Sequence, residues 1–242
     1  MVPSGVFSSN RVGNRLLDIN VARGVAASPR TGGTSSTSVA GVVCEVGEPS
    51  PHVYFPISSV FSAIVPLRDG SAIEAGTIGS EGLVGVELIT DRSVSVYQCI
   101  QQVEGVSLRI PAKEFRTLLS QGGRLPELLD RYLLTVVHQS GQTAACNVRH
   151  SVDERMCRWL LMTQDRAGRD SFYLTQEFLG IMLGVRRQSV SLSASTLQRA
   201  GLITYSRGNM KILDREGLER SSCECYETVR EMYERVMNPP IV

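Results

Sequence analysis

The spacing of apolar and polar residues divides the chain into stretches of different character. Residues 20–41 are rich in Gly, Ser, Thr and Ala and follow neither a helical nor a strand period. Such a segment buries too little apolar surface to offset its chain entropy, so we expect it to be disordered or weakly structured. From Val42 to Ile110 short β-rich runs such as HVYFPISSVFSAIVPL alternate with glycine-containing turns, which indicates a β-sandwich or jelly roll.

A long helix is predicted after the β-rich stretch, from about Leu125 to Val148. Its apolar or small positions recur at alternating steps of three and four residues: Leu125, Leu129, Tyr132, Val136, Ser140, Thr143 and Asn147. Such a seam is typical of a coiled coil. Three small residues beside it would let a second helix approach closely: Gly141, Ala144 and Ala145. A dimerisation helix and a helix packed on its own β-domain both fit this pattern. After it, Ser151 and Glu154 predict a capping box at the start of a further helix.

The segment between Leu174 and Leu213 has short, closely spaced elements. Thr175 is a suitable N-cap for the helix TQEFLGIML, and Gly184 can supply a left-handed turn into a second helix that ends near Arg199. Two short strands then flank the turn SRGN. The order helix, tight turn, helix and β-hairpin predicts a winged helix-turn-helix.

Charge becomes informative only within this segment. The whole chain has 242 residues, a formal net charge of +1 and 42% hydrophobic residues, which are ordinary values for a globular protein. Between Gly184 and Leu213, however, five residues are basic and none is acidic. The alternatives for this local charge are a DNA-binding surface and a solvated basic face on a small helical domain.

DNA binding assigns two kinds of role to the polar residues of the segment. The N-terminal part of the second helix would enter the major groove, where Arg, Gln and Ser can bond base edges. We therefore expect these residues to read bases: Arg187, Gln188 and Ser191. Positions at helix N-termini and at the wing tip suit phosphates instead. We expect phosphate contacts from Thr175, Gln176, Arg186, Ser189 and Arg207.

Three segments resemble the C-terminal helix-turn-helix of the Crp/Fnr family: LTQEFLGIMLGVRRQSVS, LQRAGLITYSRG and ILDREGLERSSCECY. The resemblance extends over about residues 151–226, and GEPSPHVYFPISS is similar to the early strands of the family's cyclic-nucleotide-binding roll. It implies an α+β protein of two domains, with an N-terminal β-roll, a long dimerisation helix and a C-terminal winged helix-turn-helix. The predicted divisions are an N-terminal segment (1–41), the roll (42–118), the dimerisation helix (124–149), the DNA-binding domain (150–219) and a C-terminal helix and tail (220–242).

The resemblance also assigns individual residues. It places Arg187 and Gln188 at base-reading positions and Ser189 at a phosphate- or base-contacting position. Leu192 stands where the family often has Arg, so we expect a different target sequence. Cyclic-nucleotide binders use a Gly-Glu pair and an Arg-Ser or Arg-Thr pair. Here the nearest candidates are the reversed pair Glu81-Gly82 and the early dipeptide Arg92-Ser93.

The sequence therefore assigns no definite cofactor. Of the two outcomes for the roll, we expect that it does not bind a cyclic nucleotide. The cysteine cluster of the iron–sulfur branch has no counterpart in residues 1–43, and a haem would depend on His52 or Cys99.

Metal and catalytic motifs give little further signal. Cys223 and Cys225 are predicted on one helix, where residues two apart point about 200° away from each other and do not readily bind one metal. His138 and His150 flank the long helix, which leaves a pH or metal role open. No Ser-His-Asp, HExxH, Walker or GxGxxG pattern occurs, so we predict neither a metal site nor catalytic residues.

Two functional hypotheses follow from these patterns. The first is a homodimeric regulator that binds a pseudo-palindromic operator with half-sites about 10 bp apart, and contacts RNA polymerase if it is an activator. The second is a ligand-sensing or protein-interaction module whose helix-turn-helix no longer reads DNA. An enzyme is a distant third. No signal peptide and no apolar run of about 20 residues occurs, so we expect a cytoplasmic protein without membrane contact.

Overall fold

The computed structural model describes residues 13–21, 33–36, 41–90 and 92–238. Within them, a β-domain and a long helix precede a helical domain that carries a small sheet. The helices are α1 (Arg15–Val21), α2 (Ala112–Ser120), α3 (Arg124–Arg149), α4 (Val152–Ala167), α5 (Gln176–Leu183), α6 (Arg187–Arg199), α7 (Arg215–Ser221) and α8 (Cys225–Met237), with a 3-10 helix at Val86–Thr90. The strands are β1 (Gly33–Ser36), β2 (Val42–Cys44), β3 (His52–Pro56), β4 (Val60–Pro66), β5 (Ala72–Ile78), β6 (Gln98–Val103), β7 (Val106–Pro111), β8 (Ser171–Tyr173), β9 (Ile203–Ser206) and β10 (Asn209–Ile212).

The β-domain is a roll of two antiparallel sheets, as the turn-separated β-rich runs predicted. One sheet has the order β1-β7-β3 and the other the order β2-β6-β4-β5. The buried side chains Val53 and Phe55 of β3 join α2 and α3 in one apolar cluster, and Phe55 meets Phe115 edge-on with ring centroids 6.2 Å apart. The roll is therefore closed on one side by helices.

The expectation that residues 20–41 are disordered or weakly structured is wrong for six of them. Asn20 and Val21 end α1, and Gly33–Ser36 form β1, which pairs antiparallel with β7. An edge strand is held by backbone hydrogen bonds, so it can form without the apolar alternation that the sequence lacks. Residues 22–32 and 37–40 of the segment lie outside the described part of the chain.

The long helix α3 follows its predicted span closely, but the predicted seam faces the protein's own roll over its first half. Leu125, Leu129 and Tyr132 are buried in the apolar cluster beneath the β-domain. A second stripe with the same three-and-four spacing lies in solvent instead: Leu134, Val137, Gly141, Ala144 and Val148. Its large members are 62–84% exposed, so this stripe is the unpartnered face of the helix.

The head, comprising residues 151–221, packs directly on the roll. Its helix α4 begins with the predicted Ser151–Glu154 capping box. The buried residues of α4, α5 and α6 form one cluster with Val60 and Ile64 of β4. Because roll and head share this core, they contact each other through apolar side chains as well as hydrogen bonds. No helix among the described residues is long and apolar enough to cross a membrane.

The predicted placement of both CxC cysteines on a helix is wrong. Helix α7 ends at Ser221 and α8 begins at Cys225, so Cys223 lies in the connection between them. Ser222 has an extended backbone, so Cys223 and Cys225 are not held about 200° apart as they would be on one helix.

Candidate DNA-binding surface

The helix-turn-helix is formed by α5 and α6. The Thr175 side chain caps α5 by accepting a hydrogen bond from the Phe178 backbone N–H over 3.1 Å. Gly184 ends the helix with a φ of 61°, a left-handed conformation that glycine adopts without the cost imposed by a Cβ. The chain then enters α6 at Arg187, which confirms the predicted turn between the two helices.

Helix α6 has one buried and one exposed face. Val190, Ala194 and Leu197 are at most 3% exposed and pack into the head. The opposite face carries residues that are all exposed: Arg187, Gln188, Ser191, Leu192 and Ser195. The three predicted base-reading side chains therefore share one accessible helix face. Leu192 lies beside them and is 72% exposed.

Arg187 is oriented by a neighbouring helix. Its Nε donates a 2.9 Å hydrogen bond to Oε1 of Gln176, the first residue of α5. Among the described residues, its two terminal nitrogens have no other hydrogen-bond partner, so they can still bond a guanine edge. Gln176 was predicted to contact phosphate, and its position adds the role of holding the arginine. Arg186 is exposed next to it, and Ser189 is half-buried.

The wing is a tight two-residue hairpin between β9 and β10. Arg207 and Gly208 both have positive φ values, 49° and 84°, as a type I′ turn requires. A Cβ at residue 208 would lie 2.6 Å from the Tyr173 ring, so a larger residue would require that ring to move. Arginine is an uncommon residue in a left-handed conformation, where Asn or Gly is favoured. The Arg207 side chain is exposed at the tip, where it can contact a binding partner.

Tyr205, which is not among the predicted site residues, connects the wing to both helices. Its backbone N–H donates to the Gln198 side chain of α6 over 2.8 Å. Its hydroxyl donates to the Leu174 carbonyl, directly before the cap of α5, over 2.7 Å. A tyrosine in a short strand carries no pattern that predicts such bonds. Together they fix the relative positions of wing, α5 and α6.

Arg155 ties the helix-turn-helix to the long helix. This buried residue of α4 donates through Nη1 to the Leu183 carbonyl at the end of α5 over 2.9 Å. The same nitrogen donates to Oδ1 of Asn147 in α3 over 3.1 Å. The bonds link the end of α5 to the end of α3, so the orientation of the head depends on a side chain outside the predicted site.

Two of the polar contacts between the head and the roll are made by carboxyl groups of the roll. Trp159 of α4 donates its indole N–H to the Glu74 carboxyl of β5 over 2.6 Å. Burial of this carboxyl raises its pKa to about 7, although the bond from Trp159 favours the ionised form. Arg166 of α4 forms a 2.6 Å ion pair with Glu81, and both side chains are largely buried. The contact between the domains therefore contains an ion pair and a carboxyl whose pKa is raised by burial to about 7.

The four ligand-pocket candidates are not brought together. Glu81 is engaged by Arg166, and Gly82 lies against the ring of Tyr132. Arg92 and Ser93 are exposed and line a separate surface groove. A cavity of about 30 Å³ between the roll and α3 is lined by other residues of the described chain.

Comparisons with known proteins agree with this architecture. Residues 154–221 match the family model described as a Crp-like helix-turn-helix domain. FixK2 from Bradyrhizobium japonicum is 15% identical with a TM-score of 0.67, over 80% of this chain and 98% of its own. A CRP-family transcriptional regulator from Thermus thermophilus is 19% identical with a TM-score of 0.64, over 78% and 96%. The c-di-GMP-responsive global regulator CLP from Xanthomonas campestris is 16% identical with a TM-score of 0.60, over 77% and 96%.

No curated protein sequence matches the chain. The fold and the exposed surface define a winged helix-turn-helix protein with a β-roll. Residues 154–221 are similar to the Crp-like helix-turn-helix domain, and the chain shares its fold with solved Crp/Fnr transcription regulators.

Proposed function

We propose that this protein is a sequence-specific DNA-binding transcription regulator that acts as a homodimer. The observation that carries the proposal is the exposed surface formed by the start of α6 and the wing. This surface belongs to the stretch from Gly184 to Leu213, which holds five basic residues and no acidic one. A backbone of phosphates attracts such a surface, and the N-terminal end of a recognition helix fits the major groove.

The proposed contacts divide into base reading and phosphate binding. Arg187, held by Gln176, would bond guanine, and Gln188 would pair with adenine. Ser191 would bond a neighbouring base, and Leu192 would cover a thymine methyl group. The phosphate contacts would come from the residues at the helix N-termini and the wing tip: Thr175, Gln176, Arg186, Ser189 and Arg207. Thr175 can donate its hydroxyl hydrogen while it accepts the cap bond.

A second copy of the chain is the proposed partner of the exposed stripe on α3. The stripe runs from Leu134 to Val148 at the spacing of a two-helix coiled coil, and Gly141 and Ala144 in it allow close approach. Pairing two such stripes would relate the two recognition helices by a two-fold axis. The operator would then be a pseudo-palindrome with half-sites about 10 bp apart. If the protein activates transcription, RNA polymerase would be a further partner.

Selection of random duplex DNA on the purified protein at about 150 mM salt, followed by sequencing, tests this proposal. We expect a two-fold symmetric consensus, with a guanine in each half-site that is lost in an Arg187→Ala selection. A protein that enriches no sequence, with and without added cyclic AMP or c-di-GMP, would contradict DNA reading. An asymmetric consensus would contradict the homodimer.

A further inference from the structure

Four potential metal ligands meet where the long helix gives way to the head. Cys146 is on the last turn of α3, His150 ends that helix, Cys223 lies between α7 and α8, and Cys225 begins α8. One ligand atom from each residue lies within 4.8 Å of all the others. The three thiols are buried, and the imidazole is mostly buried.

Two of the separations between ligand atoms are close to the edges of a small tetrahedron. Cys146 Sγ lies 3.5 Å from Cys223 Sγ, and His150 Nδ1 lies 3.6 Å from Cys225 Sγ. With Zn–S bonds of about 2.3 Å and Zn–N bonds of about 2.0–2.1 Å, a tetrahedral ion separates two sulfurs by about 3.8 Å and a sulfur from a nitrogen by about 3.6 Å. An iron–sulfur cube binds each thiolate at a different iron and therefore spreads its ligands further.

Groups around the four residues suit thiolates and a bound imidazole. Glu224 Oε2 lies 3.1 Å from His150 Nε2, the ring nitrogen that faces away from the cysteines. A carboxylate in that position fixes the ring and leaves Nδ1 free to bind metal. Gln142 donates its amide N–H to Cys225 Sγ over 3.0 Å.

A buried cation, Arg158, lies close enough to act electrostatically on the Cys146 and Cys223 thiols. Arg158 is 6% exposed, and its Nε and Nη1 have no hydrogen-bond partner among the described residues. Buried positive charge normally requires compensation. Three thiolates and one imidazole around a divalent ion carry a net charge of −1, which would supply it.

We propose that Cys146, His150, Cys223 and Cys225 bind one Zn²⁺ ion in a closed tetrahedral site. Three sulfurs and one nitrogen form a donor set typical of structural zinc. The ion cross-links the end of α3 to the α7–α8 connection and so fixes the joint at His150 between the long helix and the head. This site is separate from the DNA-binding surface, and its existence does not depend on DNA binding.

Metal analysis of the full-length protein, purified under reducing conditions, tests the site. We expect about one zinc per chain, and Co²⁺ exchange should give strong tetrahedral ligand-field bands with thiolate-to-cobalt charge transfer. Cys223→Ser and Cys225→Ser should each lose the metal, whereas Cys44→Ala, which removes a buried thiol from the roll, should retain it. Glu224→Gln should keep the cobalt spectrum but weaken zinc affinity about 10- to 100-fold in chelator competition.

Two results would overturn the proposal. One is a wild-type protein that binds no stoichiometric Zn²⁺ or Co²⁺ even after anaerobic reconstitution, including one that holds a Cys146–Cys223 disulfide instead. The other is metal retained with an unchanged cobalt spectrum in both serine variants. The wild-type cobalt spectrum decides the coordination even if the serine variants fail to fold.

Discussion

Replacing Glu74 by Gln tests the contact between roll and head. The Glu74 carboxyl is 4% exposed and accepts a hydrogen bond from Trp159, and burial raises its pKa from 4.5 to about 7. A carboxyl with a raised pKa binds its proton more tightly in the folded state than in the unfolded state. It therefore contributes stability that is full below about pH 4.5 and is lost as the pH rises through about 7.

The size of this effect follows from the shift. A difference of about 2.5 pH units corresponds to about 3 kcal/mol of unfolding free energy, since one unit is worth about 1.4 kcal/mol. Gln cannot ionise, and its carbonyl can still accept the Trp159 bond. We expect the difference in unfolding free energy between Glu74→Gln and wild type to grow by about 3 kcal/mol in favour of the variant, as the pH rises from about 4.5 to about 8.

Urea unfolding at a series of pH values provides the assay. Trp159 is the single tryptophan of the chain, so its fluorescence reports the contact itself. The difference between the variants cancels the titration of all other groups. Parallel curves of unfolding free energy against pH for wild type and Glu74→Gln across this range would contradict the raised pKa of Glu74.

Three further substitutions test separate parts of the account. Arg207→Asn should leave the unfolding free energy unchanged or raise it by up to about 1 kcal/mol, because Asn tolerates the left-handed backbone. The slope of log affinity against log salt concentration for DNA binding should fall by about one. An unchanged slope would contradict a phosphate contact. Val137→Asp should give a monomer in light scattering and weaken binding to a full operator at least about 100-fold. The control Val46→Asp, at another exposed valine, should remain a dimer and bind like wild type. A Val137→Asp protein that is still a dimer would contradict the α3 interface. Leu192→Arg should keep wild-type stability and add a guanine preference in DNA selection, and an unchanged consensus would place Leu192 outside the groove.

The order of elements was predictable because each unit carries its own periodicity or turn chemistry. Gly184 and the Ser151–Glu154 capping box mark helix boundaries through local backbone requirements, and both boundaries are confirmed. The exposed face of α6 was predictable for the same reason, since Val190 and Leu197 define its buried side. Whether those exposed side chains bind DNA stays a prediction.

The errors lie where tertiary context decides between equal patterns. Helix α3 carries two stripes with the same spacing, and only the packing of Tyr132 on the roll shows which one is buried. β1 is held by backbone pairing, which leaves little trace in side-chain composition. The Glu74–Trp159 bond and the cysteine–histidine cluster each join residues more than 70 positions apart, so sequence spacing gave no indication of either.

Fluorescence anisotropy with the selected operator measures DNA reading by α6, in a comparison of wild type, Arg187→Ala and the charge-matched control Arg235→Ala. Arg235 is an exposed residue of α8, remote in sequence from the recognition helix. We predict that Arg187→Ala loses about 1–3 kcal/mol of binding free energy, or about 5- to 150-fold in affinity, and no longer distinguishes the guanine in each half-site. Arg235→Ala should bind like wild type. An Arg187→Ala protein with unchanged affinity and unchanged base preference would contradict the assignment of α6 as the helix that reads DNA.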